Sequence, residues 1–244
     1  MIELINDDCS AALRKIGGGT IDLVIIDPPY LIKNTKAGGK SKLAKSIQGM
    51  NDEIANKNLV SGFDTSILDE IVRVMKTPNI YIWCSKDQIL MYMDYFVNQQ
   101  GCAFDILCWY KTNAMPLFNN KYLTDKEYCL YFRKGGYCQP ANYEEAKTIF
   151  MQPINIKDKR KYGHPTIKPL DIIETLVKNS SKEGDLILDC FMGSGTTGVA
   201  CKKLDRNFIG VEIDPVFYKT AKDRIEKTYS TKEAPRQMTI FDFI

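Results

Sequence analysis

The strongest constraint on the fold lies late in the chain. Leu186-Ile187-Leu188-Asp189 is a short apolar run ending in a carboxylate, and Cys190-Phe191-Met192-Gly193-Ser194-Gly195-Thr196-Thr197-Gly198 follows at once. The run reads as a strand buried on both faces. The glycines stand in the spacing Gly-x-Gly-x-x-Gly ahead of a helix opening at about Val199. A second apolar run, Phe208-Ile209-Gly210-Val211, ends at Glu212, roughly 20 residues on. Strand, glycine turn, helix, strand and acid in one register predict an α/β chain with a parallel sheet, whose ligand edge is the carboxyl end of its strands. A tight strand-to-helix turn that holds nothing is the alternative.

The residue types favour a nucleoside at that turn. Glycines let the backbone approach a ligand, N–H groups at a helix start offer donors, and Glu212 can accept from both ribose hydroxyls. Asp189 would repel a pyrophosphate but hold an ammonium. A nucleoside joined to an amino acid fits better than a dinucleotide, which favours S-adenosylmethionine.

A second site stretch lies early. Leu23-Val24-Ile25-Ile26 reads as a buried strand, and Asp27-Pro28-Pro29-Tyr30 ends it, because consecutive prolines cannot continue a ladder. A planar base could stack on Tyr30 while its amino group donates to Asp27 and to the Pro28 carbonyl. A rigid turn with a rim aromatic is the alternative. Residues 2–6 read as another short strand, ending at Asp7-Asp8, where Asp8 is either a ligand acceptor or the cap of a helix from Ser10 to Ile16. Residues 66–76 show helical apolar spacing with Ser66 as a possible cap. Strands are expected at 79–85, 103–110 and 127–134, with a helix near 87–99 between the first two. Trp109, Tyr110 and Phe118 could line a base channel or simply fill the core.

Two stretches differ in composition. Residues 34–58 form a basic loop insertion, and Lys33, Lys36, Lys40, Lys42 and Lys45 fall in or beside it. Placed next to Asp27, they favour phosphate contact over a solvated surface loop. Residues 135–163 read as irregular and polar, carrying Lys159, Arg160 and Lys161, and too short for a core of their own. The net charge of +3 does not announce a nucleic-acid binder, so any such footprint is local. Eight cysteines without a Cys-x-x-Cys pair, and a single histidine, His164, argue against a metal site; no metal is expected. No apolar run approaches the length of a membrane span and the amino end lacks a signal-peptide pattern, so a cytoplasmic chain with reduced cysteines is expected.

Taken together, Asp27-Pro28-Pro29-Tyr30, His164-Pro165-Thr166-Ile167-Lys168-Pro169 and Asp189-Cys190-Phe191-Met192-Gly193-Ser194-Gly195-Thr196 resemble the β-class of S-adenosylmethionine-dependent DNA amino methyltransferases, in that class's order. The resemblance frames residues 1 to about 228. It implies a seven-stranded, mostly parallel Rossmann-like sheet with helices on both faces, entered at a permuted point. Residues 186–189 and 208–211 would then be the first two strands of the unpermuted order, 2–6 the third and 23–26 the fourth. It implies a catalytic domain over residues 1–230, with a small target-recognition-like insertion at 135–163 and a tail at 231–244.

The resemblance also assigns roles. Asp27, Pro28, Pro29 and Tyr30 would be catalytic. Asp8 and Cys9 would lie at the cofactor's adenine, and Asp189, Phe191, Gly193, Ser194, Gly195, Thr196, Thr197 and Glu212 around the rest of it. Thr166, Lys168 and Pro169 would border its methionine end, and His164 would be structural. Lys33, Lys36, Lys40, Lys42, Lys45, Lys159, Arg160 and Lys161 would face double-stranded DNA. Aspartate at the head of the early motif is typical of adenine N6 methylation; cytosine N4 enzymes more often carry serine. One departure is Gly62-Phe63-Asp64, where members of the class often show a tryptophan. The class often dimerises. The tail residues Gln237, Ile240 and Phe241 resemble the short peptide by which bacterial proteins bind the sliding clamp; packing on the protein's own sheet is the alternative.

Overall fold

The computed structural model describes residues 1–30, 64–114 and 122–232, together with positions 45, 48, 49 and 52. Its strands are β1 (Ile2–Ile5), β2 (Leu23–Ile26), β3 (Asn79–Cys84), β4 (Ala103–Lys111), β5 (Lys126–Arg133), β6 (Ile149–Gln152), β7 (Leu186–Asp189) and β8 (Asn207–Val211). They form one sheet in the order β1-β8-β7-β2-β3-β5-β4-β6. β5 runs antiparallel to both of its neighbours, and every other pairing is parallel. The four strands that the sequence reading places first to fourth in the unpermuted order, β7, β8, β1 and β2, lie side by side at one end of the sheet.

The sheet has eight strands, not seven. The additional strand is β6, inside the stretch that reads as irregular. Its Ile149 and Met151 pair with Cys108 and Tyr110 of β4 and are exposed on an edge, so a four-residue strand there leaves little apolar signal. The same stretch also contains α4 (Ile156–Tyr162), capped by the Asn155 side chain and ended by Gly163 in the left-handed region.

Helices α1 (Cys9–Lys15), α2 (Ile67–Val74) and α3 (Ile89–Met93) cover one face, α3 running on as π-helix over Asp94–Gln99. Helices α5 (Leu170–Ser180), α6 (Thr196–Lys203) and α7 (Pro215–Glu226) cover the other. Strand side chains divide by the period of two. Val24, Ile26, Ile80 and Ile82 join the first core; Leu23, Ile25, Tyr81 and Trp83 join the second. Burial on both faces explains why these strands read as continuous apolar runs. Trp109 belongs to the second core, with its indole N–H donated to the Gln152 carbonyl at 3.1 Å, so it fills the interior rather than a channel. Phe118 lies outside the described residues.

Two helix starts differ from the sequence reading. Ser66 makes no side-chain cap bond; the Asp64 carboxylate accepts from the Ser66 N–H instead. Helix α6 opens at Thr196, directly after Gly195, not near Val199. None of the described helices is long and apolar enough to cross a membrane.

Candidate active site

The early and late motifs meet on one sheet edge. Leu23 and Val24 of β2 pair in parallel with Ile187 and Leu188 of β7. Asp189 is the last residue of β7, and Asp27 is the first after β2. Adjacent strands lie about 4.8 Å apart, so both carboxylates reach the same rim. A single cavity opens there. Its walls carry Asp8 and Cys9 from the start of α1, Phe191, Gly193 and Thr196 from the glycine turn, and Glu212 from the end of β8. Asp27 and Pro29 from the turn after β2, Trp83 of β3, and Thr166 and Lys168 complete them. Asp189, Ser194 and Thr197 also line it. Pro28, Tyr30, Pro169 and Gly195 are not among its walls; Tyr30 packs against the second core.

At the late corner every carboxylate is held. Asp189 accepts from the Phe191 N–H at 3.1 Å and the Thr197 hydroxyl at 2.7 Å. Burial outweighs both bonds and pushes its pKa up to about 7. Glu212 accepts from the Gly193 N–H at 2.7 Å and the Asp214 N–H at 2.8 Å, and burial raises its pKa as well. Asp8 is the cap of α1, accepting from Ser10 and Ala11, and it also lines the cavity. Gly193 has φ +53°, and a Cβ there would lie 2.7 Å from His164 Nε2. His164 is buried, with its ring against Phe217 at 4.5 Å.

A residue the sequence reading passed over joins the glycine turn to α4. Arg224 of α7 donates to the Ser194 and Thr196 hydroxyls at 2.9 and 3.4 Å and lies 4.0 Å over the Tyr162 ring. Its arrangement is tertiary: the three contacts span 28 to 62 positions of sequence.

At the early corner Lys168 departs from the expected placement. It lines the cavity, but its ammonium is paired with Asp27 Oδ2. It also lies 3.3 Å from Glu127 Oε2, and Glu127 Oε1 takes Lys111 at 2.6 Å. Two carboxylates and two ammonium groups thus form a largely buried chain across the turn after β2, the start of β5, the end of β4 and the segment before α5. Burial raises the Asp27 pKa against the pull of Lys168. For Glu127, burial pushes up, but Lys168 and Lys111 hold the carboxyl down at about 2. Asp27 Oδ1 is buried and makes no hydrogen bond of normal geometry among the described residues, although the Tyr30 hydroxyl lies close to the same carboxylate. Glu127 and Lys111 gave no sequence signal, since a charged residue at a strand end is ordinary; the pairings of β2 with β3, β3 with β5 and β5 with β4 bring them to Asp27.

The remaining basic candidates divide. On α4, Lys159 is half-buried, its pKa lowered by burial despite the nearby Glu127, whereas Arg160 and Lys161 are exposed. Lys161 lies over the Tyr162 ring at 4.9 Å. Lys45 is exposed and helical. Lys33, Lys36, Lys40 and Lys42, the position of Phe63, and the tail residues Gln237, Ile240 and Phe241 lie outside the described residues. No cluster among the described residues could hold a metal ion, and all eight cysteines are free.

The cavity's chemistry suits a nucleoside–amino acid cofactor. It offers glycine backbone at a helix start, the carboxylates of Asp8, Asp27, Asp189 and Glu212, and the aromatic ring of Phe191.

Comparison with known proteins agrees with this geometry. The family model described as DNA methylase, N6_N4_Mtase, matches residues 21–223. The Type II methyltransferase M2.LlaDCHI of Lactococcus lactis subsp. cremoris is 33% identical, over 92% of this chain and 89% of that protein. M2.DpnII of Streptococcus pneumoniae is 30% identical, over 93% and 91%. Among solved structures, the M1.HpyAVI–SAM complex superposes with a TM-score of 0.66 at 27% identity, over 92% of this chain and all of that one.

Proposed function

Because this chain belongs to the N6_N4_Mtase family of DNA methylases, we propose that its target is the N6 amino group of an adenine turned out of a DNA duplex. The chain is an S-adenosylmethionine-dependent DNA methyltransferase. The observation that supports an amino target is one cavity lined by both Asp189 and Asp27, with Asp27 Oδ1 buried and without a hydrogen bond of normal geometry among the described residues; the aspartate at the head of the early motif favours adenine over cytosine. A buried acceptor without a donor is costly, and an amino N–H satisfies it.

S-adenosylmethionine, when bound, supplies a methyl group on a positively charged sulfur. The chain's residues supply placement. Asp189 holds the α-ammonium end, Glu212 the ribose hydroxyls, and Asp8 with Cys9 the adenine end. Ser194, Thr196 and Thr197, with Thr166 and Pro169 nearby, border the carboxylate end. Asp27 and the Pro28 carbonyl accept the two amino hydrogens of the target, which turns the nitrogen lone pair out of conjugation and toward the methyl group. Pro29 fixes that corner, and Tyr30 stacks on the base. A base inside the duplex cannot reach this geometry, so it must be everted. Catalysis is then placement and electrostatics, with no covalent enzyme intermediate.

The test is methylation of defined duplexes with labelled cofactor, followed by nucleoside analysis. N6-methyladenine is expected. N4-methylcytosine would move the assignment to the other base, and label found only in RNA would overturn it.

The Asp189 pKa yields a second expectation. An acid raised to about 7 is neutral below that pH and must ionise to hold an ammonium. Cofactor affinity should therefore rise about tenfold between pH 5.5 and 7. Titration calorimetry checks it: Asp189→Asn should bind weakly, with a flat profile over the same range.

The outer reaches of the chain complete the proposal. Residues 1–230 act as one catalytic unit, with basic residues of 34–58 and of α4 on the DNA phosphates, and the work is done in the cytoplasm. Phe104, Ile106, Ile149 and Met151 are exposed on one face of the sheet's edge strands and support a homodimer. The tail at 231–244 offers Gln237, Ile240 and Phe241 to a sliding clamp, and a peptide of those residues that fails to bind a clamp removes that part.

A further inference from the structure

The ammonium of Lys168 occupies the ground assigned above to the target base. Its side chain is 5% exposed, and it is paired with Asp27 Oδ2. Its Nζ lies over the Tyr30 ring at 5.5 Å and over the Trp83 ring at 5.2 Å. A lysine head presents N–H donors to a carboxylate and a cation to ring faces. An incoming amino group would join the same carboxylate through Oδ1, and its base needs the Tyr30 ring face that the ammonium covers. Ammonium and base therefore compete for that face.

Lys168 has somewhere to go. Glu127 Oε2 is 3.3 Å from its Nζ and is buried without a hydrogen bond of normal geometry among the described residues. The other oxygen of Glu127 is already engaged by Lys111 at 2.6 Å, which anchors the carboxylate in place. The drive is present as well, because Lys168 lines the cavity that receives a sulfonium, and like charges there repel.

We propose that Lys168 is a resident stand-in for the target amino group, held on Asp27 and Tyr30 in the free enzyme and passed to Glu127 when the base enters. Glu127 is then a positioning residue. It touches no base and acts through Lys168. The inference rests on the adenine reading above.

A double-mutant cycle tests it, read by fluorescence of 2-aminopurine placed at the methylated position of a substrate duplex, so that base insertion is seen without turnover. Glu127→Gln traps Lys168 on Asp27, and the competent fraction falls. Insertion should weaken about tenfold while cofactor affinity stays within about twofold. Lys168→Met together with Glu127→Gln should return insertion to within about threefold of the unaltered enzyme, because nothing remains to be moved. Losses that simply add would overturn the proposal, since a purely structural carboxylate behaves that way. Cofactor binding in the same samples reports whether each variant is folded.

Should the variants not fold, a crystal structure of the unaltered enzyme with its duplex and a cofactor analogue decides. Lys168 Nζ on Glu127 and clear of Asp27 is expected; Nζ still on Asp27 beside an inserted base overturns the proposal. Failure of the adenine reading is distinct, because the unaltered enzyme would then leave no N6-methyladenine in any duplex.

Discussion

Asp27→Ala should lower methyl transfer by about 10³-fold or more while leaving S-adenosylmethionine affinity nearly unchanged. The size follows from removing an acceptor that acts on the reacting nitrogen, which in comparable sites costs two to four orders of magnitude. At about 1.4 kcal/mol per tenfold, the loss amounts to roughly 4 kcal/mol of barrier. The selectivity follows from geometry, since the residues proposed above for the cofactor lie after β1, from the end of β7 into α6, just after β8 and before α5, and not in the turn after β2. Single-turnover rates and calorimetric affinities, measured on the same preparation, check both halves. Asp27→Asn is the informative partner. It keeps a carbonyl acceptor but gives Lys168 an amide in place of a carboxylate, so it should also be slow. Retained turnover in either variant would remove Asp27 from its role. The wild-type rate should also fall on acidification, because burial raises the Asp27 pKa and a protonated carboxyl is a weaker acceptor for the amino hydrogen it takes.

Gly195→Ala should have the largest effect on stability. Gly195 has φ +80°, where a side chain costs about 1–2 kcal/mol. Its Cβ would also lie 2.8 Å from Ala221 Cβ and 3.0 Å from Ala221 Cα, so the α7 backbone itself must shift. Overpacking of that kind adds about 1–3 kcal/mol. A total near 3 kcal/mol in a chain of this size lowers the melting temperature by about 10 °C. Gly184→Ala is the control. It has φ +83° but nothing within 4 Å of its Cβ, so only the backbone strain remains. Thermal melts should separate the two by several degrees. Equal shifts would show that the helix packing at Gly195 yields without cost. Displacing α7 also disturbs Arg224, which holds the Ser194 and Thr196 hydroxyls, so cofactor affinity should drop in parallel.

Local features made much of this fold legible. β7, its glycine turn and β8 were readable because apolar runs of four or five residues between polar breaks leave a strand as the economical reading. Asp27-Pro28-Pro29-Tyr30 was readable because proline removes the donor a strand needs. β6 was hidden because it is short and half-exposed at an edge, and its pairing partner lies about forty positions away.

What the sequence determined by itself is which chemical groups stand at the strand ends: carboxylates, glycines, prolines and an aromatic, each next to a local break that forces it there. What only the tertiary structure decided is which of those groups meet. Lys168 reads locally as one more residue of a proline-bounded loop, and Glu127 as a strand-end acid. They face Asp27 because β5 runs antiparallel beside β3, and the segment before α5 crosses the same edge. Contact between residues 27, 127 and 168 depends on strand order, and strand order is set by long-range burial on two faces of the sheet, which no window of neighbouring residues encodes.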